Sequence, residues 1–221
     1  MKLEANKLLK YLQGIGILLI CLSVAIVGGF KIKLTIDGYK QKAIKEDFLA
    51  RYEERSNEIE DDGLGEYIGS LENYQALTGS TIAIIDISTI GLNVSVVEGV
   101  EKDDIKLNVG HYPQSDMPWV KNGNFAVAGH SSIVYNCLFN DLHKADIGMD
   151  VEVITQYGTY WYTISEMYVV DPTDVSCIER HGDGKNVITM TTCINSGKQR
   201  LIVVAEMKKS SLAQIEKLNL Q

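Results

Sequence analysis

The chain of 221 residues is long enough for one domain of ordinary size on a tether, and its 45% hydrophobic and 23% charged residues argue against wholesale disorder. A formal net charge of -8, with no Lys/Arg-rich block beyond the first few dozen residues, argues against a nucleic-acid partner. Cys21, Cys137, Cys177 and Cys193 show neither C-x-x-C spacing nor a dense framework, so the sequence reads as neither a zinc site nor a disulfide scaffold.

In chain order, a short N-terminus (1–10) carrying Lys2, Lys7 and Lys10 precedes an uncharged run from Tyr11 to Phe30. A hydrocarbon core of about 30 Å is crossed by roughly 20 apolar residues in helix, so 11–30 reads as a transmembrane helix. A cleaved signal peptide is the competing reading, because Ser23-Val24-Ala25 has the small residues of a cleavage site, but the apolar stretch runs past it. Lysines on both sides of the run leave its orientation open on charge alone. From 31 to 78 a helical stalk and linker are expected. Ile44, Phe48, Leu49, Tyr52 and Ile59 recur at helical spacing among charged residues, and Asp61-Asp62-Gly63 ends the pattern.

Short strands dominate from 79 to 208. Thr81–Ile87, Leu92–Glu98 and Asn124–Ala128 are rich in β-branched and apolar residues, and Leu107–Pro113 connects them less regularly. Leu138–Ala145 is expected to form a short helix; Asp150–Tyr157 and Thr159–Val170 form a hairpin turning at Gly158. Val187–Cys193 and Arg200–Met207 form a second hairpin, joined through the turn formers Asn195, Ser196 and Gly197. Residues 209–221 are a polar tail. The fold expected is mostly β, an antiparallel-leaning closed barrel of eight strands with short helices, behind the transmembrane and stalk helices.

The second hairpin holds Cys193 and Arg200 on neighbouring strand ends. A nucleophilic thiol needs a route to thiolate, from a base or a nearby cation. Among the four histidines, His111, His130, His143 and His181, only His130 ends an apolar strand and opens a loop, which puts an imidazole at a barrel rim. Arg200 offers five donors in a fixed fork beside the thiol, and the Thr192 hydroxyl and nearby backbone amides are candidate oxyanion donors. Taken singly, each of these residues has a bland alternative: a surface histidine, a strand-edge ion pair, a structural threonine.

Together they carry more. Thr189-Met190-Thr191-Thr192-Cys193 resembles the T-L-x-T-C signature of sortases, the membrane-anchored cysteine transpeptidases of Gram-positive bacteria, with Met190 in place of Leu. Asn122–His130 resembles the family's G-N-x-x-x-A-G-H segment, Arg200-Leu201-Ile202-Val203 its arginine strand, and Gly110-His111-Tyr112-Pro113 a further family segment, all in the right order. The resemblance implies a sortase β-barrel with His130, Cys193 and Arg200 catalytic and Thr192 in support of substrate or oxyanion. It implies no metal and no cofactor. The implied partners are secreted proteins bearing an L-P-x-T-G-like sorting signal, and an amine nucleophile from a peptidoglycan cross-bridge precursor such as lipid II or from a pilin subunit. The enzyme would sit in the cell membrane as a single-pass protein with its catalytic domain outside. Two features depart from parts of the family: the connection from Cys193 to Arg200 is short compared with class A members, and no Asp-Pro lid precedes the domain. Cys137 and Cys177 are read as buried free thiols rather than a disulfide.

Two other readings stay open on sequence. A cell-surface cysteine hydrolase would use the same residues, with water in place of the amine. A non-catalytic tethered β-domain binding a wall polymer or protein would not require His130, Cys193 and Arg200 to converge.

Overall fold

The computed structural model describes residues 2–59, 74–131, 138–182 and 184–211. It divides into two compact units, Met1–Lys40 and Gln41–Gln221. The first belongs to one long helix, α1 (Lys2–Ile59). Within Lys10–Glu54 an 18-residue window of mean hydropathy 2.4 has no buried residue. It is long and apolar enough to cross a membrane, and exposed Ile17, Leu18, Val24 and Ile26 give it the apolar surface a bilayer would cover.

The second unit contains the end of α1 and a closed barrel. Eight strands, β1 (Thr81–Ile87), β2 (Leu92–Glu98), β3 (Val109–His111), β4 (Asn124–Gly129), β5 (Asp150–Thr155), β6 (Gly158–Val170), β7 (Val187–Ile194) and β8 (Gln199–Ser210), join in the order β1-β2-β3-β4-β7-β8-β6-β5 and back to β1. Closure removes the unpaired edges that an open sheet would present. Most neighbours are antiparallel, but β2–β3 and β4–β7 are parallel.

Alternation divides each strand between two environments. Phe125 and Val127 of β4, Ile188 and Met190 of β7, and Leu201, Val203 and Ala205 of β8 fill the interior with residues from every other strand. On the outside of β6, β7 and β8 a smaller cluster gathers Val187, Ile202, Val204, Tyr168 and Val170 under Cys177 and Ile178. The segment between β6 and β7 therefore lies on the outer wall of the barrel. It is pinned there by Asn124, whose side-chain amide donates to the carbonyls of Cys177 (2.9 Å) and Glu179 (2.8 Å).

The end of α1 lies on this unit rather than standing clear of it as a stalk. Ile44, Phe48 and Tyr52, spaced by four, turn inward and Phe48 is 2% exposed. Lys45 Nζ donates to the Asn93 side-chain oxygen (2.9 Å), and Tyr52 OH lies 3.3 Å from Thr159 Oγ1. Two expectations change. Leu138–Ala145 forms only a 3-10 turn, Leu142–Lys144, whose first residue is buried beneath Phe139 and its neighbours in the core. The polar tail begins later than expected, since β8 continues through Lys209 and Ser210 by pairing with Trp161 and Tyr160.

Candidate active site

The parallel pairing of β4 with β7 builds the site. The register runs Asn124↔Val187, Ala126↔Thr189, Ala128↔Thr191 and Gly129↔Thr192. His130 follows Gly129 and so comes into step with Cys193, which follows Thr192. Across the other edge of β7, Cys193 stands opposite Arg200, and Arg200 opposite Val170 of β6. Directly opposed residues share a face, so Cys193, Arg200 and Val170 form one row across β7, β8 and β6, and His130, the residue after β4, extends it by the parity of its strand. Parity puts this row on the outer face, in line with Ile202 and Val204, where Cys193 and Arg200 are partly buried and His130 is exposed.

Thr192 points the other way. It is 2% exposed, and its hydroxyl donates to the Gly129 carbonyl at 2.8 Å. That bond ties the end of β7, which leads into Cys193, to the end of β4, which leads into His130. Gly129 must be glycine for a separate reason: a Cβ there would lie 2.8 Å from the ring of Phe139. The backbone of Phe139 also donates to the His130 carbonyl (3.2 Å), so both ends of the His130 peptide unit are held.

The turn between β7 and β8 sets Arg200. Asn195, Ser196 and Gly197 all have positive φ (50°, 58° and 83°), a run of left-handed backbone that suits Asn and Gly and is rarer for Ser. Arg200 Nη1 donates to the carbonyls of Gly197 (3.1 Å) and Gln199 (3.3 Å), and these two bonds engage one nitrogen of its fork.

Three residues to which sequence reasoning gave no role at the site complete the surroundings. Tyr112 continues β3 onto the outer face, its N–H bonded to the Ala126 carbonyl (3.0 Å). Burial, then the nearby Cys177, raises the pKa of its hydroxyl; Arg200 lowers it and Cys193 raises it, so the hydroxyl lies within electrostatic reach of the row. Cys177 is a free thiol, 7% exposed, and burial pushes it up. Asp171 begins the segment next to Arg200; its carboxylate is held low by Thr173, which donates to it from both N–H (3.0 Å) and hydroxyl (2.8 Å). The other histidines lie away from the row. His111 is inside the barrel, His143 bonds the carbonyl of Asn140 (2.8 Å) on the 3-10 turn, and His181 follows Arg180 in the segment before β7. Cys137 lies outside the described residues.

A thiol, an imidazole and a guanidinium side by side on an exposed rim form a set suited to acyl transfer through a thioester. Comparison with known proteins bears on the family. Residues 85–208 match the model of the sortase domain. Sortase D of Bacillus subtilis is 31% identical over 121 residues, covering 55% of this chain and 58% of its own, and sortase A of Listeria monocytogenes is 27% identical over 180 residues, covering 80% and 78%. The match to the B. subtilis protein thus spans little more than half of that relative's length. Among solved structures, the sortase D5 transpeptidase of Clostridium perfringens superposes with a TM-score of 0.60 at 29% identity, covering 79% of this chain and 99% of that one. Sortase E1 of Streptomyces coelicolor, solved with a tripeptide in its active site, gives a TM-score of 0.55 at 27% identity over 62% of this chain and 93% of that one. The order of the strands, the row on the outer wall and the match over more than half of the chain place this protein in the sortase family of cysteine transpeptidases.

Proposed function

We propose that this protein is a membrane-anchored transpeptidase that cleaves an L-P-x-T-G-like sorting signal near the C-terminus of secreted proteins and joins the new acyl end to an amine. The observation that supports the reading is a pair of strand registers: Gly129, before His130, stands opposite Thr192, before Cys193, and Cys193 stands opposite Arg200. In this reading residues 11–30 span the cell membrane, 31–78 link it to the barrel, 79–208 are the catalytic domain on the outer side, and 209–221 follow it.

The chemistry divides among the three residues. Cys193 Sγ attacks the carbonyl of the scissile Thr–Gly bond, and the developing oxyanion meets the guanidinium donors of Arg200 and nearby backbone N–H groups. His130 gives a proton to the leaving glycine amine, which leaves a thioester on Cys193. An incoming amine, from a peptidoglycan cross-bridge precursor or a pilin lysine, then loses a proton to His130 as it attacks the thioester, and the thiol is released. Thr192 contributes through its bond to Gly129, which fixes the spacing of the two strand ends. No step calls on a metal.

The test is mass spectrometry of the full-length chain in detergent, incubated with a panel of Leu-Pro-Xaa-Thr-Gly peptides varied at each position, with and without triglycine. A Cys193→Ala variant runs beside it. The expected result is a Cys193-dependent acyl adduct and a ligated product. Cleavage that triglycine never diverts would identify a hydrolase, and absence of any adduct across the panel would overturn the reading.

A further inference from the structure

The interior of the barrel holds an ionisable pair that acyl transfer does not use. Glu98 ends β2, His111 ends β3, and the two stand in register with 7% and 2% exposure. His111 Nδ1 donates to Glu98 Oε2 at 2.8 Å, and the ring stacks on Phe125 with centroids 5.0 Å apart. Its far side reaches a turn. Nε2 lies 3.0 Å from Ser115 Oγ and 3.3 Å from the Asp116 carbonyl. Ser115 Oγ in turn donates to the Tyr112 carbonyl (2.9 Å) and accepts from the Ala126 N–H (3.1 Å).

The same turn reaches the outer wall. Asp116 Oδ2 accepts from the Asn124 N–H (3.1 Å) and from Arg180 Nε (2.9 Å), while Oδ1 accepts from Arg180 Nη2 (2.6 Å). Arg180 closes the segment that starts at Asp171, the residue after Val170 in the catalytic row. An unbroken line of contacts therefore runs from Glu98, inside the barrel, to the segment that flanks Cys193 and Arg200 outside it. Two hydrophobic residues could fill the space of Glu98 and His111 without the desolvation that a buried polar pair incurs, so stability alone is a weak reason for the pair.

We propose that Glu98 and His111 are positioning residues for the outer surface beside Cys193: the pair fixes the 112–116 turn from within, and through Asp116 and Arg180 that turn holds the 171–180 segment against β4 and β7. The occupant of that surface is an extended peptide, which rests on the transpeptidase reading given above. The pair touches no reacting atom. Its influence falls on how the donor peptide is held, and the thiol chemistry of Cys193 is untouched.

The test uses the full-length protein with Glu98→Met and His111→Leu combined, which removes both polar groups and keeps the interior filled. Four readings are taken: thermal midpoint, amide hydrogen exchange, KM and kcat with the best-cleaved peptide of the panel, and the rate of Cys193 alkylation by iodoacetamide. Expected are a barrel that stays folded, loss of protection of about tenfold confined to 112–116 and 171–180, and KM raised by about five- to tenfold. Expected too are kcat and alkylation within about twofold of wild type, and the same exchange pattern in Asp116→Asn. A folded double variant with unchanged exchange in 171–180 and unchanged KM would overturn the proposal. So would protection lost evenly over the whole barrel, the mark of a merely structural pair. If the double variant does not fold, Ser115→Ala breaks the line at the turn and is judged by the same outcomes. A wild-type protein that cleaves no peptide would sink the transpeptidase reading alone, because the exchange pattern still decides the positioning.

Discussion

Replacing Thr192 with Val probes whether the rim works as a clamp. The two side chains are nearly the same size, so the change removes one hydrogen bond without leaving a cavity. In the structure that bond is 2.8 Å long, its donor is 2% exposed, and its acceptor is the carbonyl of the residue before His130. Losing a bond of this kind costs about 1 kcal/mol net, rising to about 2 kcal/mol where the carbonyl finds no new partner. For a domain of this size that corresponds to a thermal midpoint lower by roughly 3–6 °C. The kinetic effect should be larger in proportion, because a shift of about 1 Å between catalytic groups can cost as much as a hundredfold. Calorimetry and peptide-cleavage kinetics on the same preparation measure both. The expected result is a modest drop in midpoint with kcat/KM down by about tenfold. Midpoint and kcat/KM both at wild-type values would refute the clamp, and a loss of kcat/KM with unchanged stability would return Thr192 to a direct role at the oxyanion.

Phe48→Ala should release the end of α1 from the barrel at a cost of about 3 kcal/mol, read as faster exchange in Gln41–Ile59 with the barrel strands unchanged, since Phe48 is 2% exposed there. Arg180 holds the Asp116 carboxyl below the usual carboxylate range. A lowered folded pKa contributes stability that is complete above about pH 4 and lost as pH falls through the folded value. Protection of 171–180 should therefore decline on acidification below about pH 4, and Asp116→Asn should abolish that dependence. Iodoacetamide should label Cys193 well before Cys177, whose thiol is buried and pushed up in pKa; equal rates at the two thiols would contradict their placement.

What the sequence made legible was local. Val187–Cys193 and Arg200–Met207 read as a hairpin because β-branched runs flank three turn formers, and the structure puts Cys193 directly opposite Arg200. The position of Thr192 was harder. Thr191 and Thr192 are the same residue, so the pattern does not reveal which of them faces outward, and only the register with Gly129 shows that Thr192 turns in. The parallel contacts were invisible for a related reason. The hydrogen bond between Thr192 and Gly129 spans 63 residues of chain, and nothing in either strand names its partner. Glu98 and His111 lie only 13 residues apart, but they meet on parallel strands, and a lone Glu at a strand end reads as solvated. The single helix α1 was read as two elements because composition changes near Lys31 while the helical backbone does not.

The barrel also explains why chemistry can sit on its outer wall. Closure and an interior packed with residues such as Phe125, Ile188, Met190 and Val203 make the strands a rigid frame, so the row of Cys193, Arg200 and Val170 that crosses three of them keeps its spacing. A row inside would be sealed from any peptide. A row on loops would hold its geometry poorly. On the outer face, adjustment is left to the pieces that lie over the frame: the turn of Asn195–Gly197 beneath the Arg200 guanidinium, and the 171–180 segment pinned at Asn124 and Arg180. Under the proposed function, the rim stays fixed between the two half-reactions while the surface beside it takes first an extended peptide and then an amine.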